Sequence, residues 1–251
     1  MLADVWSYLT DGANWSGAEG IATYLLQQVL HTFTSLLIAL LIGLPVALGL
    51  GHVGRGGVLA INISNVGRAI PTFAVLVLLS VGLEDLGTQE IGPYGRAAFP
   101  TLVALILFAL PPIVTNAYVG MREVDREIIE AANGMGMRGW QVFREVELPL
   151  ALPLILTGVR LAVVQVWATA TIAALVAGPG LGRIITEGVA NKNTPQVVSG
   201  ALLVAVFALI LEVVVVGLER VLDPVRRARR VSVRFVRSER GPADSAVGSS
   251  T

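Results

Sequence analysis

The 251-residue chain has no cysteine, which excludes disulfides, thiol catalysis and cysteine metal sites. It has two histidines, His31 and His52, too few for a histidine metal cluster. Charged residues make up only 14% of the chain and cancel to a net charge of zero, so bulk electrostatics names no partner and no nucleic-acid partner is expected. Between Glu19 and Arg55 there is no Asp, Glu, Lys or Arg at all. The first 20 residues also lack Lys and Arg, so they miss the basic front of a secretory signal peptide and the first helix is expected to be retained. There is no G-x-x-x-x-G-K-[ST] phosphate loop and no convergent acid, base, nucleophile or metal set, so the chain is not expected to be an enzyme.

What remains is apolar. Hydrophobic residues make up 54% of the chain and the mean hydropathy is +0.73, which points to an all-α protein whose solvent is lipid. A hydrocarbon core needs roughly 20 apolar residues per helix. Five stretches meet that length, at about residues 22 to 51, 57 to 83, 97 to 120, 152 to 177 and 196 to 219. Arg68 and Pro71 interrupt the second, which reads either as one kinked helix or as a short interfacial helix before a span; six spans is the alternative count. Asp and Glu avoid the centres of the clearer spans, and no internal repeat stands out, which argues against a secondary transporter or channel.

Basic residues in short loops stay in the cytoplasm. Arg55, Arg122, Arg126, Arg138, Arg144 and the eight arginines from Arg220 to Arg240 fall on one side, against Arg96, Arg183 and Lys192 on the other. This places the N-terminus outside and the C-terminus inside. Residues 1–21 form an extracytoplasmic segment, 22–222 the transmembrane domain, and 223–251 a basic tail whose Ser/Gly/Ala ending cannot bury a core and is expected to be disordered.

Between the third and fourth spans lies a polar segment far longer than a simple connection needs, residues 121–149. Arg122 to Ala132 lacks Gly and Pro and reads as a helix. Gly134, Gly136 and Gly139 break it, and a second short piece from Trp140 to about Glu145 follows, with Trp140, Phe143 and Val146 on one apolar face. Pro149 and Pro153 mark the return into the membrane. From periodicity alone this is either an amphipathic connector on the membrane surface or a docking element for a cytoplasmic protein.

The spacing of residues here is specific. Glu130-Ala131-Ala132, three residues, Gly136, nine residues, then Val146-Glu147-Leu148-Pro149 resembles the EAA loop of ABC importer permeases, in which Ile usually stands where this chain has Val146. Ala69-Ile70-Pro71-Thr72, Leu110 to Tyr118, Gly134 to Met137 and Gly178 to Gly182 are similar to segments of the osmoprotectant branch, which handles glycine betaine, choline, carnitine or proline betaine; Thr115 stands where that branch often has Arg. The resemblance implies a type I importer permease fold with a cytoplasmic coupling helix. It also implies a second permease subunit, a cytoplasmic ATPase dimer that binds ATP and Mg, and a separate extracytoplasmic solute-binding protein, with no cofactor on this chain.

On that resemblance Glu130, Ala131, Ala132, Gly136, Val146, Leu148 and Pro149 couple the chain to the ATPase. Trp167, Gln165, Asn116 and Tyr118 are path candidates, because a quaternary ammonium can rest on an aromatic face, although packing and interhelical bonding explain such residues equally. Gly178, Gly180 and Gly182 form a loop that either meets the binding protein or serves as a turn. Arg160, inside a span, is expected to snorkel to the interface or pair with the loop helices. An importer for an amino acid or another small solute is the rival reading within the same fold.

Overall fold

The computed structural model describes residues 1–54, 61–62, 70–83 and 91–222, and among these no strand occurs. Helix α1 (Leu2–Thr10) and a short 3₁₀ turn (Gly12–Trp15) precede the long α2 (Ile21–Val53). Then come α3 (Thr72–Gly82), α4 (Ala98–Arg122), α5 (Arg126–Gly134), α6 (Gly139–Val142) and a π-turn (Phe143–Glu147), followed by α7 (Leu148–Ala173), α8 (Gly182–Ala190) and α9 (Thr194–Leu222).

Four helical stretches among the described residues are long and apolar enough to cross a membrane: 21–53, 98–122, 139–176 and 194–222. They match four of the five expected spans. The described part of the other is α3, whose 11 residues are too short for a bilayer. Arg55, Arg68, most of residues 57–71 and the tail 223–251 lie outside the described residues. The expected short helix after Gly139 does not stop at Glu145. It runs on through the π-turn into α7, with Pro149 in the first turn of α7 and Pro153 inside it.

Small residues set the helix crossings, as expected where helices pack without a hydrophobic driving force. A Cβ on Gly51 of α2 would lie 2.5 Å from the Met121 Cβ of α4, so these helices touch along parallel courses. A Cβ on Gly158 of α7 would lie 2.6 Å from the Asn116 Cβ and 2.8 Å from the Pro112 carbonyl of α4, which runs antiparallel to it. Pro112 and Pro153 interrupt their helices' bonding, and Asn116 Nδ2 and Thr157 Oγ1 donate to their respective carbonyls at 2.8 and 2.9 Å. Leu36, Leu105, Ala109, Ile113, Val163 and Val166 form the central cluster where α2, α4 and α7 meet. Helix α9 lies against α7 at the rim and exposes Leu202, Leu209 and Val213.

The bundle therefore has two ends. One gathers the C-terminal ends of α2 and α4, the start of α7 and the polar segment between them. The other gathers the start of α2, the end of α7, α8 and the glycine loop.

Candidate functional site

The polar segment is a built structure. Asp125 caps α5, its Oδ1 accepting from the Glu127 N–H at 3.0 Å. At the other end Met137 N donates to Ala132 O at 3.2 Å and Gly136 N to Asn133 O at 2.9 Å, the paired bonds of a Schellman stop. That stop needs a left-handed residue, and Gly136 supplies it at φ +85° with nothing within 4 Å of its missing Cβ. The chain then reverses into α6, where Arg138 N donates to Gln141 Oε1 at 2.9 Å.

Helix α5 has two faces. Ala132 is buried, and Ile129 packs on the cluster of Ala47, Ala117, Met121, Val124, Ala151 and Ile155. On the opposite face Ile128, Ala131 and Met135 recur at helical spacing and are exposed, Met135 at 78%, with Glu130 exposed beside them. Trp140 is 68% exposed and stacks on Phe143 with ring centroids 5.2 Å apart. Val146, Leu148 and Pro149 are half-buried where the segment joins α7. The seven loop residues singled out by spacing thus divide between an outward face (Glu130, Ala131), an inward face (Ala132), a turn (Gly136) and the junction with α7 (Val146, Leu148, Pro149).

One contact at this end joins residues that spacing does not connect. Glu147 is 5% exposed, and its Oε2 lies 2.5 Å from Nδ1 of His52, in the last turn of α2 and 95 residues away. The His52 ring also meets Phe143 edge to face at 5.4 Å.

The opposite end is held by amides. Gln28 is fully buried; its Nε2 donates to Trp167 O at 3.0 Å and Thr171 Oγ1 at 3.1 Å, and its Oε1 accepts from Leu181 N at 3.2 Å. Gln27 Oε1 accepts from Gly180 N at 3.3 Å. Gly178, Gly180 and Gly182 are buried against the Ala173 carbonyl, Gln28 and the Thr171 carbonyl respectively. Their missing side chains therefore serve packing inside this chain. Tyr24 donates to Glu187 at 2.7 Å, and Arg183 pairs with the same carboxylate at 3.1 Å. Burial raises the pKa of nearby Tyr8, and the charge of Glu187 raises it further.

Of the path candidates, Trp167 is buried among Ile21, Tyr24, Leu181 and Ile184, with Nε1 donating to Val204 O at 3.3 Å, a packing position. Tyr118 packs on the cluster beneath α5, and Asn116 bonds within its own helix. Gln165 is half-buried on α7.

Of the two expectations for Arg160, pairing with the loop helices is not what the structure shows: it bonds Glu212 of α9, with Nε at 2.8 Å, and lies 3.8 Å from Glu219. Glu212 therefore does sit inside a span, made tolerable by an arginine on the neighbouring helix, a compensation visible only once α7 and α9 are adjacent. Among the described residues no group of three potential metal ligands converges.

Comparison with known proteins agrees with this architecture. The family model of the binding-protein-dependent transport system inner membrane component matches residues 21–228. The osmoprotectant import permease protein OsmY of Salmonella typhimurium is 38% identical over 79% of this chain and 80% of its own length. The carnitine transport permease protein OpuCD of Listeria monocytogenes is 35% identical over 76% and 82%. The choline transport system permease protein OpuBB of Bacillus subtilis is 32% identical over 82% and 91%. Among solved structures, inward-facing conformations of the MetNI methionine ABC transporter superpose with a TM-score of 0.65 at 24% identity, covering 78% of this chain and 92% of that one. An amino acid ABC transporter gives 0.62 at 21%, covering 82% and 93%. The fold is that of a type I ABC importer permease, and the chain belongs to the family of binding-protein-dependent transport system inner membrane components.

Proposed function

We propose that this chain is the membrane-spanning subunit of an ATP-driven importer for a compatible solute such as glycine betaine, choline, carnitine or proline betaine. The observation that carries the reading is the segment 126–149. It is a short, capped helix with an exposed apolar face, stopped by Gly136, after which a second helix enters a membrane span without a break. Force applied to α5 by a cytoplasmic ATPase passes through the tight turn at Gly136 into α6, which continues as helix into α7, and a subunit without its own nucleotide loop requires such a link. ATP and Mg belong to that partner dimer.

The segment lies on the cytoplasmic side and the N-terminus outside, a reading supported by the bias of arginine toward the loop end. A second permease subunit completes the path, and a separate binding protein supplies solute at the far end. There, exposed Leu175 and Val189 flank the buried glycines and offer an apolar contact. Gln165, which has no hydrogen-bond partner among the described residues, is the path candidate with a side chain left to act. The printed names of OsmY, OpuCD and OpuBB support the solute class; the methionine and amino acid transporters share the fold at too low an identity to speak for substrate.

The test is uptake of radiolabelled glycine betaine, choline and carnitine, with methionine as a control, by hyperosmotic cells expressing the whole system. Uptake of a quaternary ammonium but not methionine is the expected result. Uptake of methionine alone would overturn the solute class and leave the importer reading in place.

A further inference from the structure

From the contact between His52 and Glu147 we infer a positioning brace: it ties the coupling segment to α2, so that motion of the segment moves the first span as well as α7. The inference rests on the coupling reading above. In the family pattern the position of Glu147 is unspecified, so spacing gives it no role. The structure does, through three observations.

First, Glu147 is buried to 5% exposure in a mostly apolar setting, where a carboxylate is tolerated only with a partner. That partner, His52, belongs to a different span. Second, the contact falls on the π-turn Phe143–Glu147, the irregular turn that joins α6 to α7. A π-turn is a local weakness in a helix. Without a brace, displacement of α5 and α6 could be absorbed there by bending. Third, the seam beside the pair is loosely filled. An apolar groove of about 480 Å³ separates Leu41, Pro45 and Gly49 of α2 from Trp140 and Phe143. Packing across this seam is thin, so the polar contact and the Phe143 edge add to a connection with α2 otherwise made through the apolar cluster around Ala47.

Both residues act through position; neither touches solute or nucleotide. The bond is short and charge-assisted when the imidazole is protonated, the strongest class of contact available at this site. The signature of a brace is uncoupling: ATP is hydrolysed but less solute moves per ATP.

The complete transporter, this chain with its ATPase and binding protein, is reconstituted in proteoliposomes, and ATP hydrolysis and solute uptake are measured together. His52→Ala and Glu147→Gln are each expected to keep ATP hydrolysis and lower solute imported per ATP by about tenfold, the scale of a coupling carried by one strong contact. The double variant should be no worse than either single one, and His52→Lys, which restores a cation, should regain most of the ratio. Additive losses in the double variant, or an unchanged ratio in both singles, would overturn the brace. Should His52→Ala fail to assemble, Glu147→Gln and His52→Gln, which keep a polar side chain of similar reach but take the charged partner out of the pair, decide the matter by the same ratio. Gly136→Asp is measured alongside. If it transports like wild type, the coupling reading of the segment falls; if it uncouples while the pair variants do not, only the brace falls.

Discussion

Replacing Gln28 with leucine removes the amide that holds the end of the bundle opposite the coupling segment. Leucine is close in size to glutamine, so the loss is polar. Trp167 O keeps the hydrogen bond from Thr171 Oγ1 at 3.2 Å, and Thr171 keeps its acceptor, so neither is stranded. Leu181 N–H is stranded, in a segment where Leu181 itself is fully buried. An unsatisfied buried N–H costs about 1–3 kcal/mol, and each of the two other lost bonds about 0.5 to 1 kcal/mol. The total is about 2–5 kcal/mol. For a chain of this length each kcal/mol shifts the melting midpoint by about 2–4 °C, so a drop of roughly 4–20 °C is expected. Gln27→Leu loses one longer bond to Gly180 N and should fall by markedly less. Thermal unfolding of the purified protein in detergent, followed by tryptophan fluorescence, reads both. Wild-type melting for Gln28→Leu, or a larger drop for Gln27→Leu, would refute the assignment of these amides as the staple of the glycine loop.

Gly136→Ala meets no neighbour but forces a left-handed alanine, which costs about 1–2 kcal/mol and should weaken capture of the ATPase by about tenfold in a pull-down titration, while Gly136→Asn should lose less. Gly158→Ala drives a methyl against the Pro112 carbonyl, which cannot swing away; a loss of about 1–3 kcal/mol is expected in detergent unfolding, and an unchanged midpoint would mean that α4 and α7 do not cross there. Arg160→Leu leaves Glu212 and Glu219 without their cation and should melt earlier than wild type, with Arg160→Leu combined with Glu212→Leu recovering part of the loss; no recovery would contradict an ion pair between α7 and α9.

What the sequence made legible was whatever is local in the chain. The charge-free run after Glu19 announced α2, and the glycine-punctuated polar stretch announced α5 and its stop. The spaced pattern from Glu130 to Pro149 pointed to docking because its parts lie within one segment. Contacts between distant segments were not legible. Gln27 and Gln28 read as ordinary polar residues in an apolar helix until the glycine loop is seen resting on them. Nothing near His52 names Glu147, and nothing near Glu212 names Arg160 as its partner across the α7–α9 contact. The glycines of 178–182 were visible as a close-approach signal, but a sequence cannot say whether the approaching body is another protein or the chain's own first span. A sharper signal was available at one point: two adjacent glutamines followed by His31, Thr32 and Ser35 mark a polar stripe on α2, and in a membrane helix such a stripe faces protein.

On the proposed function, the exposed face of α5 receives the force of ATP hydrolysis. The absence of cysteine permits a direct test. Met135→Cys, at the outward end of α5, and Leu175→Cys, at the opposite end of the bundle, are each labelled with a thiol-linked photo-cross-linker in the assembled transporter. The account predicts that illumination joins Met135→Cys to the ATPase and stops solute uptake, while Leu175→Cys never captures the ATPase. Capture from Leu175→Cys, or free uptake with Met135→Cys unlinked, would contradict it.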